Sequence, residues 1–241
     1  MSRAHRFPFE ITPPPTETTC GPAALQSVYR HWGLELPVGR VIEDVTRLDG
    51  GGTWAVHLGR DALRRGFRAR IYTCDLQLFD PSWFAEGSPP LADRLRLQIE
   101  RRDQPPALAA QGRAYLDFLE RGGEVRMEEM GTELVTRYLR RGIPVIAGLC
   151  CTWLYRSTRE RWDGERAIPD DLEGTPTGHF VVVHGVDPVH RALALADPFL
   201  HRPHPGEHHY DVPIRRFFNA LMLGVVTNDA KLLVLRPSAH D

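Results

Sequence analysis

Thr18-Thr19-Cys20-Gly21-Pro22-Ala23-Ala24-Leu25 is the stretch on which the reading of the fold turns. Upstream lies Pro13-Pro14-Pro15, which cannot be helix interior, because proline lacks the donor N–H and disfavours helical geometry in the residue before it. Downstream, Leu25, Val28, Tyr29 and Trp32 recur at the spacing of one helix face, and Gly33 stops the run. Pro22 falls in the first turn, where a missing N–H costs nothing. The pattern predicts a helix over 20–32 with Cys20 at or beside its N-cap. There, unpaired backbone N–H groups and the positive end of the helix dipole favour thiolate over thiol. Free cysteines are more often simply small buried residues, so a nucleophile reading of Cys20 needs a partner base elsewhere in the chain.

The chain as a whole narrows the options. Its 241 residues, 42% hydrophobic and 25% charged, suit a globular protein with a proper core, and one domain over 1–241 is the expectation. A formal net charge of -1 gives no reason to expect a nucleic-acid or anionic-membrane partner. No apolar run is long enough for a spanning helix, and Met1-Ser2-Arg3-Ala4-His5-Arg6 lacks the apolar core of a secretory signal. The cysteines Cys20, Cys74, Cys150 and Cys151 fit neither a disulfide framework nor a zinc knuckle. A reducing, cytoplasmic setting is expected, with no cofactor and no metal.

Further elements follow from periodicity and punctuation. Helices are expected over 38–48 and 54–65, the latter with Thr53 as N-cap after the loop Gly50-Gly51-Gly52, and then a strand over 67–72. A phosphate loop is discounted, because no apolar strand precedes those glycines. Residues 75–130 read as a helical insertion, with charged helices over 91–102 and 108–121 whose arginines form a solvated face. A helix over 131–141 with Gly142 as its stop leads to a buried central strand over 143–149. Polar irregular chain is expected over 155–177, a short helix over 215–222 and a last strand over 231–235.

The second informative stretch is Gly178-His179-Phe180-Val181-Val182-Val183-His184-Gly185-Val186, rich in β-branched residues and followed by the turn Asp187-Pro188. Ala192-Leu193-Ala194-Leu195-Ala196 is the return strand and Asp197-Pro198 ends it. So short a connection makes an antiparallel hairpin, which sets His179 and Asp197 side by side at one rim. The carboxylate is expected to accept from Nδ1 of His179 and leave Nε2 for a nucleophile. Helices first and antiparallel strands later give an α+β fold, and a helix start packed on that rim brings Cys20 toward His179. Cys20 would then attack a carbonyl carbon, His179 would activate it and protonate the leaving group, and Asp197 would orient His179. The backbone N–H of Cys20 would be one oxyanion donor, a group whose loss costs roughly 3–4 kcal/mol in comparable sites. Two other classes compete. One is a non-catalytic binding module. The other is a metal site in the stretch carrying His201, His204, His208 and His209, against which Pro203 and Pro205 argue, since nothing rigid fixes the spacing.

At these residues the chain resembles the bacteriocin-processing, double-glycine type of cysteine peptidase, within the papain-like superfamily. The resemblance rests on Thr19-Cys20-Gly21-Pro22-Ala23-Ala24-Leu25, on Gly178-His179-Phe180-Val181-Val182-Val183 and on Ala196-Asp197-Pro198. Gly52-Thr53 before a helix ending in Arg65-Gly66-Phe67, and Arg141-Gly142-Ile143-Pro144-Val145 entering a strand, fit as well. It implies a papain-like fold with Cys20 as nucleophile, His179 as base and Asp197 as orienting residue. One departure stands out: the family carries a glutamine about six residues before the cysteine, as part of the oxyanion hole, and Pro14 occupies that place here. Thr16 is the candidate for the second donor. Many relatives are domains of export transporters, so the substrate is carried over only as a peptide or amide. Acyl or aminoacyl transfer through the same thioester is the alternative to hydrolysis.

Overall fold

The computed structural model describes residues 4–101, 105–163, 166–199 and 207–238. A two-residue strand β1 (His5–Arg6) and extended chain lead to one turn of 3-10 helix over Glu17–Thr19, which runs directly into α1 (Cys20–His31). Ala24, Leu25, Val28 and Tyr29 of α1 are fully buried, as its apolar stripe requires. Gly33 closes the helix in the left-handed region at φ 81, where a Cβ is costly. α2 (Val38–Asp44) is shorter than its sequence suggests, because Val45 already turns extended. α3 (Ala55–Arg64) starts from Trp54 without a side-chain cap. Thr53, expected as the cap, donates its hydroxyl to the carbonyl of Thr46 at 2.7 Å and closes the glycine loop instead.

β2 (Phe67–Thr73) follows, then α4 (Leu91–Ile99), α5 (Pro106–Glu120), β3 (Glu124–Arg126) and α6 (Thr132–Leu139). After them come β4 (Val145–Cys150), the single-turn α7 (Cys151–Tyr155) and a small hairpin of β5 (Glu160–Trp162) with β6 (Ala167–Pro169). That hairpin lies where irregular chain was expected; its three-residue strands are too short to show an alternation. The chain ends with β7 (Gly178–Asp187), β8 (Ala192–Ala196), β9 (His209–Pro213), α8 (Ile214–Leu223) and β10 (Lys231–Pro237).

The main sheet runs β3-β2-β10-β4-β7-β8-β9, with β1 added against β7. Every pairing is antiparallel except β2 with β3. Both faces are covered. Ile146, Val182 and Leu233 point into one core with α1, α3, α4 and α5, while Ala147, Val181, Val183 and Leu232 point into a second with α6 and α8. Each fully buried valine or leucine contributes on the order of 1.5–3 kcal/mol. Within 75–130, Leu95, Tyr115 and Phe118 join the same core as α1, and Phe118 seats on Gly59 of α3, where an added Cβ would lie 2.7 Å from its ring. Lys231, 1% exposed, is compensated by Asp75 at 2.9 Å and the carbonyl of Asn228 at 3.0 Å.

Candidate active site

The site forms where α1 meets the rim of the sheet. Gly21 allows the approach: a Cβ there would sit 2.8 Å from Thr53 and 3.1 Å from the Phe180 ring. Phe180 in turn nests on Gly148 of β4, at 2.9 Å from where a side chain would begin. The helix start is thereby pressed against the strand that carries His179, and Cys20 (8% exposed) stands beside His179 (4%).

The hairpin delivers the other half. β7 and β8 pair with Val182 opposite Ala196, so His179 near the start of β7 neighbours Asp197 just beyond β8. Asp197 Oδ1 accepts from Nε2 of His179 at 2.8 Å and from the backbone N–H of Phe199 at 2.9 Å. Its Oδ2 accepts from the hydroxyls of Tyr155 at 2.7 Å and Tyr210 at 2.6 Å. The ring is therefore turned opposite to the expectation from sequence: Nε2, not Nδ1, meets the carboxylate, and Nδ1 is left for Cys20. The reason is the rim geometry. Both side chains are buried, and Asp197, just past the end of β8, meets the imidazole at Nε2.

Electrostatics follow the geometry. Burial alone would push His179 down. The Asp197 charge, the neighbouring Cys20 and hydrogen bonds to both outweigh it and raise His179 to about 10. Burial pushes Asp197 up, but His179 and the tyrosine hydroxyls hold it below the usual carboxylate range. Burial pushes the Tyr155 and Tyr210 hydroxyls well above the usual phenol range, with the Asp197 charge adding to it, so both remain donors. Burial likewise raises the Cys151 thiol, followed by nearby Glu160, Cys150, Cys20 and Asp197.

A cleft of ≈ 280 Å³ opens at His179 and is lined by Thr18, Gly50, Cys151, Tyr155 and Phe199 among others. Phe199 meets the His179 ring edge-on at 5.4 Å and stacks on Tyr155 at 6.3 Å. A larger groove of ≈ 440 Å³ between α6 and the end of β7 holds no thiol or histidine. Thr16 is not on the cleft wall. Its hydroxyl lies 3.1 Å from that of Thr19, whose own hydroxyl donates to the Thr16 carbonyl at 2.9 Å, and the pair closes the 3-10 turn. Thr18 faces the cleft instead, with Oγ1 accepting from Arg47 at 2.8 Å. Gly51, at φ 83, passes within 2.9 Å of the Thr18 methyl as judged from an added Cβ, which is what the glycine loop is for. Pro14 is buried and offers no donor. His201 and His204 lie outside the described residues. His208 Nδ1 donates to the backbone carbonyl of Asp197 at 2.9 Å, and His209 begins β9 at the sheet edge.

Tyr155, Tyr210 and Asp229 carry no motif. Tyr155 and Tyr210 reach Asp197 through non-local contacts, from a short helix and an edge strand, and Asp229 lies against Gly178 from a loop ahead of β10.

No protein-family profile matches the chain, and no curated protein matches it. Solved structures do. A Bacillus anthracis protein described as a C39-like peptidase superposes with a TM-score of 0.53 at 12% identity, over 98% of this chain and 98% of that one. The peptidase domain of Streptococcus ComA, a bi-functional ABC transporter involved in quorum sensing, gives 0.45 at 17% identity over 96% and 100%. A double glycine motif protease from an AMS/PCAT transporter, crystallised with its leader peptide, gives 0.45 at 13% identity over 99% and 100%. The first of these carries the comparison: the fold is that of the papain-like cysteine peptidases. The Bacillus anthracis protein is described as C39-like, the type the bacteriocin-processing resemblance pointed to, and what this chain shares with it is the fold.

Proposed function

We propose that the protein is a cysteine peptidase or related hydrolase that opens a peptide or amide bond through Cys20, His179 and Asp197. The observation that carries this is the placement of His179, buried between the Asp197 carboxylate at 2.8 Å and the thiol of Cys20 at a helix start. A base held by a carboxylate on one nitrogen presents the other to the nucleophile. In the reaction, the Cys20 thiolate adds to the substrate carbonyl carbon and the N–H groups of the first turn of α1 meet the oxyanion. The adduct collapses to a thioester as the imidazolium of His179 gives its proton to the departing amine. Water then attacks the thioester, His179 takes its proton, and the acid leaves with Cys20 restored. Asp197 remains ionised throughout and fixes the ring. The cleft with its aromatic wall of Tyr155 and Phe199 is the substrate channel, and a peptide is the substrate class in keeping with a fold neighbour crystallised with a leader peptide. The four cysteines are unpaired, and none of the described helices is long and apolar enough to cross a membrane. Residues 75–130 are a helical insertion into one domain, in keeping with the core they share with α1.

Iodoacetamide at near-neutral pH, followed by peptide mapping, tests the reading. Cys20 is expected to be alkylated far faster than Cys74 and Cys151, whose thiols burial holds protonated, and faster than buried Cys150. H179N removes the advantage. Equal rates at all four cysteines, or a Cys20 rate indifferent to H179N, overturn it.

A further inference from the structure

The carboxylate beside His179 is more heavily held than orientation of one imidazole requires. Its oxygens take four donors in all: His179 and the Phe199 N–H on Oδ1, Tyr155 and Tyr210 on Oδ2. The two hydroxyls come from different elements, Tyr155 from the end of α7 and Tyr210 from the edge strand β9, and they converge on one oxygen. The backbone of Asp197 is pinned too, its N–H donating to the His208 carbonyl at 2.8 Å. A side chain 1% exposed has no water to replace a lost donor.

We infer that Tyr210 and Tyr155 are positioning residues that keep Asp197 ionised and in line with Nε2 of His179, so that Nδ1 stays aimed at Cys20. The inference rests on the triad reading above. Tyr210 acts from behind, while Tyr155 also forms part of the cleft wall. The chemistry is direct. A hydroxyl donating to a carboxylate stabilises its charged form, and removing it lets the buried group take up a proton at higher pH. Once Asp197 is neutral the imidazolium loses its counter-charge and the Cys20 thiolate loses its partner. The other titratable groups facing the pair are Cys20 from α1, Cys151 from α7, His208 ahead of β9 and Asp229 ahead of β10.

The test is the pH dependence of Cys20 alkylation by iodoacetamide in wild type, Y210F, Y155F and the double variant, with D229N carried to identify any step from that carboxylate. A hydrogen bond to a charged group is of the size that moves a pKa by about one unit. The acid limb of the profile is therefore expected about one pH unit higher in each single variant and higher still in the double, with the rate falling about tenfold at a pH on that limb and nearly unchanged on the plateau. A role in packing alone would leave the limb in place. The second readout is the low-field imidazole N–H proton of His179, expected to shift in Y210F, which keeps the ring and loses only the hydroxyl. Thermal melts verify that each variant is folded; should Y210F not fold, Y155F carries both measurements. Acid limbs and proton resonances coincident with wild type overturn the inference. A wild-type Cys20 no more reactive than the other cysteines overturns the triad reading itself, and the two failures are read in different arms.

Discussion

Gly178 and Asp229 make a sharp test of how the rim beside His179 is packed. An alanine Cβ at 178 would lie 1.9 Å from Oδ2 of Asp229, 3.0 Å from its Cγ and 3.1 Å from the Thr227 hydroxyl. Asp229 has little room to retreat, because it is itself buried at 8% exposure. G178A therefore overpacks a filled site, at about 1–3 kcal/mol. It also forces Asp229 to release the Thr227 hydroxyl, a 2.7 Å hydrogen bond contributing about 1 kcal/mol. The sum of roughly 2–4 kcal/mol corresponds to a fall in Tm of roughly 5–15 °C for a chain of this size. D229A empties the space that the methyl needs, and Thr227 keeps the carbonyl of Gly224 at 3.1 Å as an alternative acceptor. In the D229A background the same glycine change is expected to cost less than about 1 kcal/mol, since the clash is gone. The assay is a double-mutant cycle from urea denaturation midpoints, with calorimetric Tm values alongside. Equal costs of G178A in the two backgrounds would refute the assigned clash, as would a G178A protein as stable as wild type.

Stability also has a predicted pH profile. His179 is raised from an ordinary 6.5 to about 10, so its contribution is complete below 6.5 and is lost as pH climbs through about 10. Asp229 is raised from 3.8 to about 7, chiefly by burial, so the folded state holds a proton that the unfolded chain releases and stability falls between those values as well. Urea midpoints should decline in both windows, D229N should flatten the lower and H179N the upper; a midpoint constant from neutral pH to 10 contradicts the assignment. K231M leaves Asp75 buried without its cation and is expected to cost about 3–5 kcal/mol, whereas K231M with D75N recovers much of it. A K231M protein within about 1 kcal/mol of wild type by denaturation would show that the pair is replaceable on its own.

Much of the architecture could be read locally. Cys20 reveals itself by the break from Pro13-Pro14-Pro15 into a periodic helix, and the β7–β8 hairpin by a β-branched run, an Asp-Pro turn and a return strand. These signals are carried by neighbours in sequence, and the α+β class follows from their order. What escaped depends on distant pairings. Which ring nitrogen of His179 meets Asp197 is settled by side-chain packing at the rim, and Tyr210 reaches Asp197 only because β9 is the strand added beyond β8. Thr53 has the chemistry of an N-cap but the loop it sits in offers the Thr46 carbonyl first. Lys231 shows no buried partner in sequence until its pairing with Thr73 at the end of β2 brings Asp75, two residues on, against it.

The position of β10 has a consequence for how the molecule comes together. The strand nearest the end of the described chain lies between β2 and β4, pairing with both, so the sheet cannot be zipped in the order of synthesis. Until residues 231–237 arrive, β2 with β3 and β4 with the hairpin strands are separate pieces, each presenting an edge of unpaired backbone N–H and C=O groups. The Lys231–Asp75 pair then fastens the strand at one end as it enters. Loop closure over so long a separation makes this joining step slow. A nascent chain halted before residue 231 would be a pair of sticky half-sheets, and the rim that holds Cys20 and His179 would rest on only one of them.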